Sequence, residues 1–369
     1  MPKNSVFINS FESVCCAGES SEALFEAICA HQSGIKIFSE FIQNKPIALG
    51  KIEKPFSIEV LLELTCKKVL EQSSLENFES TLLVVGSSVG GMQTTESIFL
   101  RDHHYKNIDP KLHAIDAIAH ILSQHFAFKD DISFSTACTS SANALGYAYE
   151  MIAKGVYENV LVVGFDTLSL TTIRGFDALG VLSSRPCQPF DVSRDGMNVA
   201  EGIAVLLLQN KPHDKSIELL GVGYSSDAHH MAHPSPDGAG ALCAMQKALK
   251  CANIQPSEVG YINAHGTGTT ANDASEANAI EALFGSSAYV SSTKSITGHT
   301  LGASGALEAI ICVMALQKQI LPPNTNLVES ENKTLGFACE AKAQTLRYAL
   351  SNSLAFGGNN TSLLFGLPR

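Results

Sequence analysis

Two stretches decide the fold: ISFSTACTSSANALGYAYEMI at residues 132–152, and YVSSTKSITGHTLGASGALEAIICVM at residues 289–314. Each reads as a short apolar strand, a polar loop with one reactive residue, and a helix rich in Ala, Ser and Gly. The reactive residue is Cys138 in the first stretch and His299 in the second. The letters match weakly, but the order of parts is the same. Duplication would place both residues near a pseudo-twofold axis, facing each other; any two βα units would also share this outline. The small residues of SSANALGYA and LGASGALEA predict closely packed, buried helices.

Working outward, further runs read as buried strands: SVFIN, TLLVVG from Thr81, NVLVVGF from Asn159 and IAVLLLQ from Ile203. IELLGVGY, GYINAHG, YALSNSLAF and TSLLFGL follow in the second half. Many lack alternation, as expected where helices cover both faces of a sheet. Helical segments fall at 20–31, 57–71, 141–153, 238–251, 274–284 and 303–317. Strands alternating with helices give an α/β fold in layers. The polar stretch NKPHDKS at 210–216 divides the chain into 1–212, with Cys138, and 213–369, with both His265 and His299. No low-complexity linker separates the halves, so they are expected to pack as one unit.

Composition narrows the function. Lys and Arg total 25 against 36 Asp and Glu in 369 residues, a net charge of −11. That argues against a general nucleic-acid binder. With 45% apolar and 17% charged residues, global disorder is excluded. The ten cysteines form no C-x-x-C pair, so no metal site is expected. Scattered thiols suit a reduced, cytoplasmic protein. MPKNSVFINS has no secretory pattern, and ALEAIICVMAL contains Glu308 and reads as too short to span a membrane.

Four places offer chemistry. Cys138 sits between a strand and a helix, where free N–H groups favour a thiolate nucleophile; a buried structural cysteine is the plainer alternative. His265 lies in NAHGTGTTAND, where Thr267 and Thr269 reach the same side. No Gly-Lys-Ser/Thr follows, so this is not a P-loop. Around His299, Lys294 and Glu308 are placed to pair and to orient the imidazole. In SNSLAFGGNNTSLLFG, Gly357 and Gly358 free a loop whose backbone N–H groups suit an oxyanion hole. Phe356 there reads as either a lid or a core aromatic.

STACTSS, NAHGTGT, SSTKSITGH and NSLAFGGNN, in this order, resemble the active-site motifs of elongating β-ketoacyl-[acyl carrier protein] synthases. SRPCQPFDVSRDGMNVAEGIAVLLL and GYSSDAHHM also resemble family segments, and coverage is strong from about Gly86 onward. The resemblance implies a thiolase-like five-layer αβαβα fold from two duplicated halves, and a dimer. It implies that Cys138 takes an acyl chain from acyl carrier protein as a thioester. His265 and His299 would then promote decarboxylation of a malonyl thioester, with Lys294 and Glu308 supporting His299. The N–H groups of Cys138 and Phe356 would form the oxyanion hole. Phe356 matches a gating position, Thr267 and Thr269 positions that meet the pantetheine arm, and Val89 a region that limits chain length. No cofactor is implied, because the phosphopantetheine arrives on the carrier.

Thiolases use a second cysteine near the C-terminus, which NSLAFGGNN lacks, and initiating synthases use Asn where His299 stands. A chain-length factor, or a heterodimer partner of another ketosynthase, is the main alternative; such factors usually lack the nucleophile. The chain departs from the family before Gly86. The segment between Gly34 and Gly86 is short where members carry basic residues for the acidic carrier. Lys51, Lys54, Lys67, Lys68, Arg101, Lys106 and Lys111 are the candidate substitutes. His229, His230 and His233 form a cluster near the implied pantetheine entrance, and no metal is expected there.

Overall fold

The structure is a computed structural model that describes residues 4–43, 45–53, 57–73, 75 and 77–368. Among the described residues, eleven strands form one sheet. In chain order they are β1 (Phe7–Cys15), β2 (Thr81–Gly86), β3 (Asp130–Phe134), β4 (Asn159–Asp166), β5 (Gly202–Gln209), β6 (Ile217–Ser226), β7 (Tyr261–Asn263), β8 (Tyr289–Ser291), β9 (Gly336–Phe337), β10 (Tyr348–Leu354) and β11 (Asn359–Gly366). Their spatial order is β9-β8-β7-β10-β11-β6-β1-β5-β4-β2-β3.

That order contains the duplication. Within β1–β5 the strands run third-second-fourth-fifth-first across the sheet. The strands β6, β7, β8, β10 and β11 repeat the same order. The directions repeat too. In each set the second strand is parallel to the third and fourth, while the fifth is antiparallel to the fourth and first. The sets meet where Phe7 and Ile8 of β1 pair with Glu218 and Ile217 of β6. The segment 210–216 therefore joins two sheets that continue into one another.

Side-chain alternation explains the uninterrupted apolar runs. In β4, Val160 and Val162 face the inner core, while Leu161, Val163 and Phe165 face an outer core. In β5, Ala204, Leu206 and Leu208 point inward and Ile203, Val205 and Leu207 outward. Both faces are dry, so no polar residue is needed on alternate positions. Helices Ile58–Glu71 and Ala117–Phe126 cover the first outer face; Ala239–Ala252 and Thr270–Phe284 cover the second. The layers are αβαβα.

The inner layer holds α1 (Ser140–Ala153) and α2 (Ser304–Lys318), each preceded by the third strand of its repeat. All residues from Ser304 to Leu316 are buried, as a helix covered on every side must be. Close approach needs small residues. A Cβ on Gly305 would sit 2.7 Å from the Ala142 nitrogen, and one on Gly86 would sit 2.6 Å from the Ser141 Cα. The stretch Leu301–Lys318 is long and apolar enough to cross a membrane, contrary to its reading from ALEAIICVMAL alone, but 89% of it is buried inside the protein.

Candidate active site

Because α1 and α2 start at equivalent places in the two repeats, Cys138 and His299 meet. His299 Nε2 lies 3.0 Å from Cys138 Sγ. His265, from the loop after β7, completes the group, and one donor atom from each residue lies within 4.8 Å of the others. All three side chains are buried.

The backbone on both sides is fixed by unusual turns. Ala137, just before the nucleophile, has φ +52°, and Leu301, two residues after His299, has φ +51°. A left-handed conformation costs a non-glycine residue about 1–2 kcal/mol, so it persists only where the surroundings hold it. The His299 N–H donates to the Asn198 carbonyl at 2.7 Å, and its carbonyl accepts from Ala200 N–H at 2.9 Å.

The tautomers follow from the partners. His299 Nδ1 accepts from the Leu301 N–H at 3.2 Å, with Ser304 Oγ at 2.9 Å. Its proton therefore sits on Nε2. The Lys294 ammonium stands 3.4 Å from His265 Nδ1, which places that proton on Nε2 as well. The rings are edge to face, with centroids 5.1 Å apart. Both imidazoles thus present an N–H to the space beside Cys138, an arrangement that donates to an oxygen. Lys294 also pairs with buried Glu308. The resemblance gave Lys294 and Glu308 to His299; here Lys294 contacts His265 and Glu308 contacts Lys294, while Ser304 and Leu301 hold His299.

Burial drives both histidines well below their ordinary pKa, and the Lys294 charge adds to the shift. They are neutral donors at neutral pH. Burial also pushes Glu308 up to about 7 against the pull of Lys294. The expected thiolate at Cys138 is corrected. Burial pushes this thiol up to about 12, outweighing the Lys294 charge and the N–H groups of Phe356 and Cys138 itself. Those two N–H groups nonetheless face the sulfur from opposite loops.

A cavity of about 270 Å³ reaches Cys138, His265 and His299 from the surface. Thr267, Thr269, Phe356 and Gly357 line it, and the two threonine hydroxyls are 2.9 Å apart. Phe356 is 37% exposed at the rim, with its ring 6.1 Å from Phe176. Gly357 and Gly358 have φ +85° and +78° and shape a tight turn. That turn is tied down rather than free: Gly357 N–H donates to the Met231 carbonyl, and the Gly358 carbonyl accepts from Asp227 N–H. Gly358 packs on Asp227 outside the cavity lining. Val89 does not line it either; its side chain joins an adjacent apolar cluster with Leu168, Met197 and Leu301.

None of the described candidate basic residues lines this cavity. Lys51 and Arg101 line a separate cavity beside Ile58–Glu71. Lys67 pairs with Glu71 and Arg101 with Asp102. Lys68, Lys106 and Lys111 are exposed, and Lys54 lies outside the described residues. Of the histidine cluster, His230 and His233 stack at 4.9 Å on the cavity wall. Among the described residues, the group of three metal-capable side chains is Cys138, His265 and His299, without these histidines.

Two buried carboxylates on the helix after NAHGTGT escaped the sequence reading. Glu276 accepts from the N–H groups of His265 and Gly266, both at 2.8 Å. Asp273 accepts from Gly268 and Phe190 N–H. Both project from the helix that follows NAHGTGT, so acidic residues in its opening turns were the available signal.

Comparison with known proteins bears on the whole chain. Residues 55–213 match the family model "Beta-ketoacyl synthase, N-terminal domain", and residues 217–328 match "Beta-ketoacyl synthase, C-terminal domain". The chain is 32% identical to 3-oxoacyl-[acyl-carrier-protein] synthase 2 of Vibrio cholerae, over 99% of both chains. It is 33% identical to the protein of that name from Coxiella burnetii, again over 99% of both. Among solved structures, a ketosynthase (ApeO) in complex with its chain length factor (ApeC) from Xenorhabdus doucetiae superposes with a TM-score of 0.90. The identity is 30%, covering 99% of this chain and 98% of that one. A β-ketoacyl synthase from Burkholderia phymatum gives 0.90 at 28%, over all of both chains. Matched in both halves, and along nearly its whole length by relatives a third identical, the chain belongs to the β-ketoacyl synthase family.

Proposed function

We propose that the protein is a 3-oxoacyl-[acyl carrier protein] synthase acting by decarboxylative Claisen condensation. The observation that carries this reading is the facing of one thiol by two neutral N–H donors. The Cys138 sulfur attacks an acyl thioester on the carrier; its proton leaves with the pantetheine thiol, and the acyl chain stays on Cys138. A malonyl thioester then enters with its carbonyl oxygen against the Nε2–H groups of His265 and His299. Loss of CO2 puts negative charge on that oxygen, and two fixed donors stabilise it as it develops. The carbanion carbon attacks the acyl-Cys138 carbon, whose oxygen lies between the N–H groups of Cys138 and Phe356. Collapse releases 3-oxoacyl carrier and the Cys138 thiolate, which takes up a proton from solvent.

The sulfur gives up its proton as it attacks, and the same sulfur is later a leaving group. Thr267 and Thr269 are placed for the amide groups of a pantetheine arm, which the carrier supplies, so no resident cofactor is part of the proposal. Ten scattered cysteines without a C-x-x-C pair suit a reducing, cytoplasmic setting. The chain retains the nucleophile that a chain-length factor would lack, so we assign it the catalytic role in a homodimer or in a pair with a related subunit.

The test is acylation. Incubation with acyl-carrier protein should add one acyl mass to the peptide containing Cys138, and Cys138→Ala should abolish it. Wild-type protein that stays unmodified sinks the reading.

A further inference from the structure

Asp166 ends β4 and is completely buried, yet none of the steps above uses it. Its Oδ1 accepts from Ser87 Oγ at 2.6 Å and from the N–H groups of Ser88 and Val89, both at 3.1 Å. Its Oδ2 accepts from Ser88 N–H at 2.9 Å and from Gly302 N–H at 2.6 Å. Every contact is a donor, so the group is held as a carboxylate although burial pushes its pKa upward.

These donors lead to the two reacting residues. Ser88 Oγ donates at 2.9 Å to the carbonyl of Ala137, the left-handed residue before Cys138. Gly302 follows Leu301, the left-handed residue whose N–H fixes His299 Nδ1. One carboxylate therefore grips both strained turns, one from each repeat. The site is built around it: a Cβ on Gly302 would lie 2.8 Å from Asp166 Oδ2 and 2.5 Å from Ser88 N.

We propose that Asp166 is a positioning residue that locks the Cys138 turn and the His299 turn into mutual register, through Ser88 on one side and Gly302 on the other. The proposal rests on the condensation reading for its kinetic arm only. The charge also acts on the sulfur directly. Cys138 is faced by Asp166, Lys294, His299 and His265, and of these only Asp166 carries negative charge.

Asp166→Asn replaces one acceptor oxygen by an NH2 that confronts donors. In the folded variant, kcat for condensation is expected to fall 10- to 100-fold with KM for the malonyl carrier within twofold of wild type. The pH profile of Cys138 alkylation by iodoacetamide should move to lower pH as the nearby charge is removed. Folded Asp166→Asn with wild-type kcat and an unmoved alkylation profile overturns the proposal, and so does a defect confined to KM. If Asp166→Asn does not fold, Ser88→Ala carries the test, since it cuts only the arm toward Cys138. It should slow acyl transfer to Cys138 at least fivefold more than malonyl decarboxylation; an equal effect on both, or none, overturns the coupling. Wild-type protein that alkylates normally but never takes an acyl group refutes the condensation reading and leaves the alkylation arm standing.

Discussion

At the scale of single residues, the chemistry lies in which nitrogen holds a proton. Leu301 N–H and the Lys294 ammonium occupy the Nδ1 positions, so both Nε2–H groups point at the substrate space. His299→Ala removes one donor from a developing enolate, which should cost about 10²–10³-fold in malonyl decarboxylation. Decarboxylation by Cys138→Gln should survive, since that change spares both imidazoles. Activity also has a predictable acid limb. Burial holds both histidines below the ordinary value of 6.5. Decarboxylation should therefore stay flat as pH falls through 6.5 and drop only well below it, measured as CO2 release. The sign for stability is the same: the unfolded imidazoles take up protons first, so stability is full above 6.5 and declines as pH falls below it. Cys138, His265 and His299 were legible from their motifs. The Lys294–Glu308 pair was legible too, but not the imidazole that Lys294 touches, because sequence nearness to His299 says nothing about which ring lies across the fold. Nor was the pKa of Cys138: a strand-to-helix turn suggests a thiolate, but burial is a tertiary quantity and it wins.

At the scale of elements, the runs that read as strands are strands, and the two small-residue helices are the inner layer. Their signals are strong because both faces of each element meet protein. The helices Met92–Asp102 and Leu170–Ala178 were not read from the sequence; only Thr95 is buried in the first and only Ile173 in the second, so neither has a buried apolar stripe. Ala117–Phe126 did carry one, at Ile118 and Leu122. The same logic separates two helical glycines. Gly305→Val drives a side chain into the Ala142 backbone and should cost about 3 kcal/mol. Gly175 has nothing within 4 Å of a would-be Cβ, so Gly175→Ala should stabilise the fold by about 0.5–1 kcal/mol. Urea unfolding of the two variants reads both effects, and a similar response from each would contradict the packing described for α1 and α2.

At the scale of the whole molecule, the continuous sheet leaves an unfinished edge at β3. Among the described residues this strand pairs with β2 alone, and its outer N–H and C=O groups have no strand beside them in the sheet order. An open edge is an invitation to another strand. Apolar surface surrounds this one. Ile132 and Phe134 are only half-buried, and Phe134 rests 5.4 Å from the half-buried Tyr147 ring. Antiparallel pairing of β3 with its copy across a twofold axis would extend the sheet through both chains and cover these residues. The dimer predicted from this edge should sediment at twice the 39.2 kDa chain mass. Ser133→Pro, placed mid-strand where a proline removes a donor and blocks close pairing, should sediment as a monomer while keeping its circular dichroism. Monomeric wild type would leave the edge for a related subunit, and a one-to-one complex with such a chain, also lost in Ser133→Pro, would identify the heterodimer instead. If Ser133→Pro stays dimeric, β3 is not the contact.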